Sequence, residues 1–267
     1  MYFAESHTLS VTEQIESGKK QSAKKYTGSS YIAYFQAYTN TYASLAYLEK
    51  LYMEAILHPD IRILSIATRP DCLSTEILDL LERLNQIKPV WVELGLQTIH
   101  ERTARYIRRG YDLPVFETAV SELRRRGIDV IVHTILCLPG ETKPDILQTI
   151  QYLNRQDIQG IKLQLLHILK GTDLAEIYAS DPFPVPDPQE YYELLGACIS
   201  HLRPDIVIHR LTGDGPKELL TAPLWTCNKR QVLNQLQSYF KTHDIWQERS
   251  INHGQSFTLY KLNTFCI

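Results

Sequence analysis

The sequence lacks the features that would place it in a membrane or on a charged polymer. No apolar run in its 267 residues approaches the roughly 20 that a membrane-spanning helix needs. Its first residues have neither the basic start nor the apolar core of a secretion signal. The formal net charge is −2, so only a local basic patch could attract nucleic acid. These absences predict a cytoplasmic protein.

Cysteine is scarce and scattered. The five cysteines stand at positions 72, 137, 198, 227 and 266, and no pair of them has the spacing of a metal finger or a redox motif. An odd number of cysteines in a cytoplasmic protein favours free thiols. We therefore expect each of them to be a packing residue.

The chain has enough apolar residues for a core, and their arrangement predicts a parallel sheet. Hydrophobic residues make up 44% of the sequence, which excludes a disordered chain. Six short apolar stretches recur, and most end in a polar or glycine-bearing turn that a helix start signal follows. They are residues 31–38, 61–68, 90–97, 129–138, 160–168 and 205–211. Strands that alternate with helices form parallel sheets, because parallel neighbours need a crossover connection.

One face of several predicted strands is polar. Glu93 and Gln97 alternate with leucines and valine, and Lys162 and Gln164 do the same in a later strand. Strands of an ordinary parallel sheet are buried on both faces and are apolar throughout. Burying such groups without partners would cost several kcal/mol each. The pattern therefore predicts an α/β fold in which the sheet curls into a partial, open barrel around a wet or ligand-filled lumen.

The chain has no linker and no low-complexity tract. We predict a barrel domain over residues 1–217 and a C-terminal extension over 218–267, with a helix at about 229–243 and a short strand at 257–262. Thr98 with Glu101 has the form of a capping box, which predicts a helix start directly after the third strand.

Polar residues cluster where the predicted strands end, which is where curled α/β sheets bind ligands. Glu93 and Gln97 are four apart on one strand and face the same way, and Gly95 leaves a gap between them. A carboxylate and an amide beside a gap suit the hydroxyls and amine of a nucleoside or an amino acid. The alternative is an ion pair of Glu93 with Arg69 or Lys162 that is purely structural.

Other chemistries have weaker signals. His133 and Cys137 share a strand face and His167 ends another strand, but no spacing rule marks them as metal ligands. Lys162 or Lys170 could form a Schiff base. Two basic runs, 105–109 and 124–126, lie near helix ends, where the helix dipole favours cations. If the two runs lie near each other, they could contact a nucleic-acid backbone.

Several ordered segments resemble the YhcC-type group of radical SAM proteins, which is similar to the elongator catalytic subunit and to the oxygen-independent coproporphyrinogen oxidases. The segments are residues 34–42, 67–71, 91–98, 136–142, 165–172 and 211–216. The resemblance covers about residues 3–262. It implies a partial barrel that holds S-adenosylmethionine and a 4Fe–4S cluster, which together generate a 5′-deoxyadenosyl radical.

The resemblance also implies roles for individual residues. The loop after the first strand would bind the methionine amino group, and it contains Gln36, Thr39 and Asn40. Glu93 and Gln97 would contact ribose and methionine. The wall beside adenine would consist of Leu138, Pro139 and Gly140, and the residues facing substrate in the lumen would be Arg69, His133, Gln164 and His167. An external electron donor is implied, and kinship with the elongator subunit makes tRNA a candidate partner.

The sequence departs from the family pattern at the cluster. The family binds its cluster through a C-x3-C-x2-C triplet after the first barrel strand, and this sequence contains no such triplet. Residues 3–6 look like the sequence that follows that loop. We therefore expect a chain without the first strand and the cluster loop, whether through a misassigned start, a fragment or a truncated gene, and without metal ligands or radical activity as given. The alternatives are a non-catalytic barrel that binds S-adenosylmethionine or RNA, and a cluster-free lyase that uses Lys162 or Lys170.

Overall fold

The computed structural model describes residues 9–23, 26–36, 38–213 and 215–249. Eight strands and nine helices lie within these ranges. The strand expected at 257–262 lies outside the described residues. No helix in the described ranges combines the length and the apolar character needed to cross a membrane.

Six strands form one parallel sheet. They are β1 (Tyr31–Phe35), β2 (Ile61–Thr68), β3 (Val90–Gln97), β4 (Asp129–Leu136), β5 (Gly160–Leu165) and β7 (Val207–Arg210). Their spatial order, β1-β2-β3-β4-β5-β7, follows the chain, and every neighbouring pair is parallel. The sheet curls into a half-barrel. The α/β partial barrel predicted from the alternating pattern is therefore confirmed.

Helices cover the outside of the sheet and connect its strands. They are α1 (Val11–Ser22), α2 (Leu45–Leu57), α3 (Thr75–Asn85), α4 (Glu101–Tyr106), α5 (Leu113–Arg125), α6 (Lys143–Leu153), α7 (Asp173–Ser180), α8 (Pro188–Ser200) and α9 (Lys229–Thr242). A separate antiparallel pair consists of β6 (Ile168–Leu169) and β8 (Leu220–Ala222). Side-chain caps at Ser10, Ser74 and Asp187 fix three of the helix starts.

The two faces of the sheet differ as the alternation predicts. Val92, Leu94 and Leu96 of β3 are fully buried in the core beneath the outer helices. The inner face carries Ser65, Glu93 and Lys162, each only 1 or 2% exposed. Because β3, β4 and β5 are in register, His133 of β4 lies between Gly95 and Lys162 on this face. The polar groups are thus buried together, where they can pair with one another.

Left-handed backbone marks the carboxyl ends of the strands. Gln97 at the end of β3 has φ 67° and Cys137 just after β4 has φ 65°. Tyr38, after β1, has φ 61°. Such conformations are costly for residues other than glycine and are concentrated at functional sites. They direct attention to this edge of the half-barrel.

The capping box expected from Thr98 and Glu101 is wrong. His100 is the N-cap residue of α4, and it makes no side-chain cap. The Thr98 hydroxyl instead donates to the Glu141 carboxylate over 2.5 Å, and Glu101 pairs with Arg109. Both side chains therefore bind other residues of the folded chain and do not form the local capping box.

The segment that follows residue 217 packs against the same core. Val232, Leu236 and Phe240 of α9 are buried in the main hydrophobic cluster, and α9 lies against α8. Trp225, just ahead of α9, donates its indole N–H to the Pro186 carbonyl over 3.0 Å.

Candidate active site in the half-barrel

A cavity of about 560 Å³ opens at the carboxyl edge of β2, β3 and β4. One wall is polar and contains Thr68, Arg69, Glu93 and Gln97. The other is apolar, and its residues are Ile107, Ile135, Leu138, Leu166, Leu174 and Ile177. This volume and this mixture of an apolar wall with a few polar groups are typical of small-molecule sites.

Glu93 is the centre of the polar floor. Its Oε1 accepts a hydrogen bond from the Ser65 hydroxyl over 2.7 Å. Its Oε2 lies 2.5 Å from His133 Nε2 and also accepts a hydrogen bond from Lys162 Nζ. Three of roughly four acceptor positions on the carboxylate are therefore occupied, and one on Oε1 is left for a ligand.

Lys162 supplies the counter-charge. Besides its ion pair with Glu93, its Nζ donates to the Tyr34 hydroxyl over 3.2 Å and lies 4.3 Å from the centre of that ring. Burial alone would raise the pKa of Glu93, but the hydrogen bonds from His133 and Lys162 and the charge of Lys162 outweigh burial and hold that pKa well below its usual range. The sequence left open whether Glu93 pairs with Arg69 or with Lys162. In the structure Glu93 pairs with Lys162, and Arg69 pairs with Asp71 instead.

His133 faces the cavity with both ring nitrogens engaged. Nε2 lies against Glu93, and Nδ1 lies 3.2 Å from the amide nitrogen of Gln164. Because an amide nitrogen donates, Nδ1 is the acceptor and Nε2 carries the proton. Burial lowers the pKa of His133, although the Glu93 carboxylate opposes that shift. The ring is thus a neutral imidazole in one fixed tautomer.

Gln97 contributes an acceptor without a protein donor. Its side chain lines the cavity, and its Oε1 is buried with no hydrogen-bond partner among the described residues. The gap at Gly95 makes room for it, since a Cβ there would come within 2.8 Å of the Gln97 amide nitrogen. A buried acceptor without a donor is costly, which indicates that a ligand N–H or O–H completes it.

Arg109 and Tyr111 support the end of β3. The Arg109 guanidinium is 2% exposed, pairs with Glu101 over 2.8 Å and donates to the Thr98 carbonyl over 2.7 Å. It also lies 4.7 Å from the centre of the Tyr111 ring, and the Tyr111 hydroxyl donates to the Gly95 carbonyl. These contacts hold the strained turn at Gln97 in place.

The loop after β4 divides two cavities. Leu138 lines both the main cavity and a neighbouring groove. Pro139 and Gly140 line only the groove, beside the proline-rich segment 183–186. Arg102 donates to the Gly140 carbonyl over 2.8 Å. Together with the Thr98–Glu141 bond, this contact ties the loop to the end of β3.

The loop after β1 lies at the same edge but outside the main cavity. Asn40 donates through its side-chain amide to the Ala67 carbonyl over 2.8 Å, which fixes the loop to the end of β2. Gln36, Thr39 and Asn40 do not line the cavity, whereas Tyr38 does.

The remaining predicted lumen residues are distributed unevenly. Arg69 lines the cavity and pairs with Asp71 over 2.5 Å. Gln164 stands behind His133. His167 does not join them, because its Nδ1 accepts from the Gly215 backbone over 3.2 Å and its ring packs against Gly213.

Metal-ligand sets are absent from the cavity walls described above. His133, Cys137 and His167 do not converge, and the cysteines at 72, 137, 198 and 227 are free. Within the described part of the chain, the candidate metal group is Glu16, His58 and Asp60. Glu16 is on α1, and the other two are in the turn before β2, at the edge of the sheet opposite the cavity. The Lys19 ammonium already lies 2.7 Å from Glu16 and 2.5 Å from Asp60.

The expectation that the two basic runs could lie together is wrong. Residues 105–109 follow β3 at the carboxyl edge of the sheet, and residues 106–109 border the cavity. Residues 124–126 precede β4, at the opposite edge. There Arg124 pairs with Asp129 and Asp157, and Arg126 pairs with Glu122 and Asp79.

Two parts of the site have weak signals in the sequence. Tyr34 is on the predicted first strand, but nothing in the sequence indicates that its hydroxyl accepts from Lys162. Asp173, Leu174 and Ile177 belong to α7, and nothing local indicates that this helix covers the cavity.

Comparison with known proteins identifies the family. Residues 8–153 match the model of the Radical SAM superfamily, and residues 158–242 match that of the Radical_SAM C-terminal domain. Protein YtqA of Bacillus subtilis is 38% identical over 92% of this chain and 76% of its own length. Protein YhcC of Escherichia coli K12 is 37% identical over 80% of this chain and 70% of its own length.

A solved structure has the same fold. The archaeal Elp3 of Methanocaldococcus infernus, with an N-terminal deletion, superposes with a TM-score of 0.72 at 16% identity. The match covers 88% of this chain, which spans 58% of that protein's length. The two family models together span the half-barrel and the helices that follow it. This chain therefore belongs to the radical SAM superfamily.

Proposed function

We propose that the cavity is an S-adenosylmethionine site of the kind that radical SAM enzymes use. The observation that carries this proposal is the buried Gln97 Oε1, which lacks a protein donor at the end of β3. The ammonium and the ribose hydroxyls of S-adenosylmethionine are donors of the kind that this oxygen needs.

The rest of the cavity suits the same molecule. Its charged groups are already paired, Glu93 with Lys162, Arg69 with Asp71 and Arg109 with Glu101, so the walls have little net charge. A zwitterionic amino acid joined to a nucleoside fits such a site better than a polyanion does. Glu93 would accept a ribose hydroxyl at the free position of Oε1, and Leu138 would lie against adenine.

The loop after β1 is the proposed site of the methionine end. Gln36, Thr39 and Asn40 lie at the same edge as the cavity, and the bond from Asn40 to Ala67 fixes the loop to β2. Pro139 and Gly140 would continue the adenine wall, held by Arg102.

The residues present do not fit an iron–sulfur cluster. In this superfamily three cysteines bind such a cluster, and the bound cluster supplies the radical chemistry of S-adenosylmethionine. The sequence has no C-x3-C-x2-C triplet, and Cys198 is buried in the core among apolar residues. We therefore derive no radical step for this chain and propose that a polypeptide of this sequence binds S-adenosylmethionine without cleaving it. The DNA 5′ of the Met1 codon can be read for an in-frame triplet, which is the direct test of whether a longer polypeptide would contain the cluster ligands.

Replacing Gln97 with methionine tests the cofactor site. Gln97→Met keeps the length of the side chain but removes the amide, so we expect the Kd for S-adenosylmethionine to rise roughly 10-fold for the loss of one hydrogen bond. Isothermal titration calorimetry measures this change. The control is Gln151→Met on the exposed side of α6, which should leave the Kd unchanged. An unchanged Kd in a Gln97→Met protein that melts normally would contradict the assignment.

We also propose that RNA, and tRNA in particular, carries the substrate. Arg102 and Arg105 are exposed on α4, the helix whose last residue, Tyr106, lines the cavity. Tyr38 and Tyr106 line the cavity and are 86 and 45% exposed. Cations with exposed aromatic rings are typical of surfaces that hold single-stranded nucleic acid. The similarity to Elp3 is consistent with this partner but supports only the fold.

Replacing Arg105 tests the RNA surface. We expect Arg105→Gln to weaken binding of a tRNA transcript several-fold at 0.1 M salt and to reduce the salt slope by about 1, as the loss of one phosphate contact does. Filter binding at several salt concentrations measures both. Arg125→Gln at the opposite edge is the matched control. If both variants weaken binding equally, the binding is not specific to the cavity mouth and this proposal is wrong.

No observation favours the cluster-free lyase. Lys162 is only 2% exposed, and its Nζ donates to Glu93 and Tyr34, so this amine is not available to a carbonyl substrate. Lys170 is exposed in the turn before α7 and does not line the cavity.

A further inference from the structure

Helix α7 covers the cavity without being part of the core. None of its eight residues is buried, whereas each of the other helices in the described ranges has buried residues. Leu174 and Ile177 nevertheless line the cavity, and Ile177 is still 38% exposed. A helix that lies over a site with so little burial has a small free energy of local opening.

The connections at the two ends of α7 allow it to open separately from the core. Gly171 precedes it with φ 76°, and nothing lies within 4 Å of the position a Cβ would take. The segment that follows, residues 181–187, contains three prolines and connects α7 to α8. The helix has only eight residues, and although the Thr172 hydroxyl caps its start by accepting from Ala175 N, a helix of this length does not keep its hydrogen bonds once it leaves the cavity.

An ion pair joins α7 to the segment after α4 at the cavity. Arg108 Nη1, from the segment after α4, lies 2.5 Å from Asp173 Oδ2 at the start of α7. The two side chains are 76 and 65% exposed. Both residues line the cavity, and Arg108 has a left-handed φ of 55°. Exposed ion pairs of this kind are weak and are screened by salt, so this one can close the cavity but can also open readily.

We propose that α7 is a lid on the cavity and that the Arg108–Asp173 ion pair is its latch. In the closed position, Leu174 and Ile177 exclude water from the apolar wall. Ligand enters and leaves when the ion pair separates and α7 unfolds locally from Gly171 onwards. This inference concerns the movement of the helix and does not require that the ligand be S-adenosylmethionine.

Hydrogen exchange of the protein without ligand tests the lid. Arg108→Gln removes the latch without changing α7, and we expect the amides of residues 174–180 to exchange roughly two- to fivefold faster, as the small worth of an exposed pair predicts. Arg108→Lys keeps the charge and should exchange close to the wild-type rate. Mass spectrometry of peptic peptides measures these rates. Salt at 1 M should raise exchange in the wild type and have little effect on Arg108→Gln.

The controls separate a lid from general destabilisation. Arg83→Gln breaks another exposed pair, Arg83 with Glu49 at 3.0 Å, and should not change exchange in α7. Equal exchange of α7 in the wild type and Arg108→Gln overturns the proposal, and so does a similar increase in α6 and α8.

A second measurement connects the lid to ligand. If S-adenosylmethionine binds, its dissociation rate should rise in Arg108→Gln by about the same factor as the exchange rate, and an unchanged dissociation rate overturns the gating role. If it does not bind, the proposed function fails, whereas the exchange experiment still decides whether α7 opens.

Discussion

Replacing Glu93 with glutamine is expected to lower the free energy of unfolding by about 3–5 kcal/mol, the usual cost of breaking a buried ion pair. Lys162 and Glu93 are each 2% exposed, and Lys162 Nζ has the carboxylate as its counter-charge. Without that charge, the ammonium remains buried beside a neutral amide. Urea unfolding measures the change, and Glu49→Gln in an exposed pair serves as the control, with an expected cost below about 1 kcal/mol.

The second replacement distinguishes the ion pair from the loss of packing. Glu93→Gln combined with Lys162→Met removes both charges and keeps the side chains close to their original size. We expect the double variant to be more stable than Glu93→Gln alone, because no buried charge is left without a partner. A double variant that is less stable than the single one would show that the ammonium is satisfied by Tyr34 without Glu93.

Acid is expected to destabilise the protein well above the range in which its carboxylates titrate. Burial lowers the pKa of His209 from 6.5 to about 4; the Glu93 carboxylate opposes this shift, and the Lys162 charge adds to it. In the unfolded chain His209 therefore takes up a proton at higher pH than in the fold. No stability is lost above pH 6.5, and stability falls as the pH decreases from 6.5 to 4. At pH 5 the expected loss is about 2 kcal/mol from this group.

The geometry around His209 explains why its charged form is disfavoured. Its ring lies edge-on to Trp91 at 5.3 Å between centres, and its Nδ1 is buried without a hydrogen-bond partner in the described part of the chain. A protonated ring would carry an unsatisfied buried N–H near Lys162. The lowered pKa of His133 also makes the protein less stable as the pH falls.

Unfolding in urea at pH 7.5 and pH 5 measures this dependence. His209→Leu should retain only the part that comes from His133 and the carboxylates, so its loss of stability between the two values should be about 2 kcal/mol smaller than that of the wild type. His243→Leu removes an exposed histidine at the end of α9 and should leave the loss unchanged. Equal losses in the wild type and His209→Leu would mean that His209 titrates normally in the fold.

Much of the fold and part of the site follow from residues close together in the chain. Alternation placed Glu93, Gln97 and Lys162 on one face of the sheet, and the order of strands and helices predicted parallel pairing. Thr98 and Glu101 show where such inference stops. Their spacing matches a capping box, but Glu141 and Arg109 bind them instead.

The sequence by itself determined that this chain forms a parallel α/β sheet with a polar inner face. Side-chain alternation has a period of two and strand–helix alternation is local, so both can be read without knowing the packing. The tertiary structure decided which polar groups neutralise one another and which helix covers the cavity. In the chain, Glu93 is 28 residues from Ser65 and 69 residues from Lys162, and Lys162 is 128 residues from Tyr34. Only the curl of the sheet brings them within hydrogen-bonding distance, and only the path of the chain after β6 brings α7 over them.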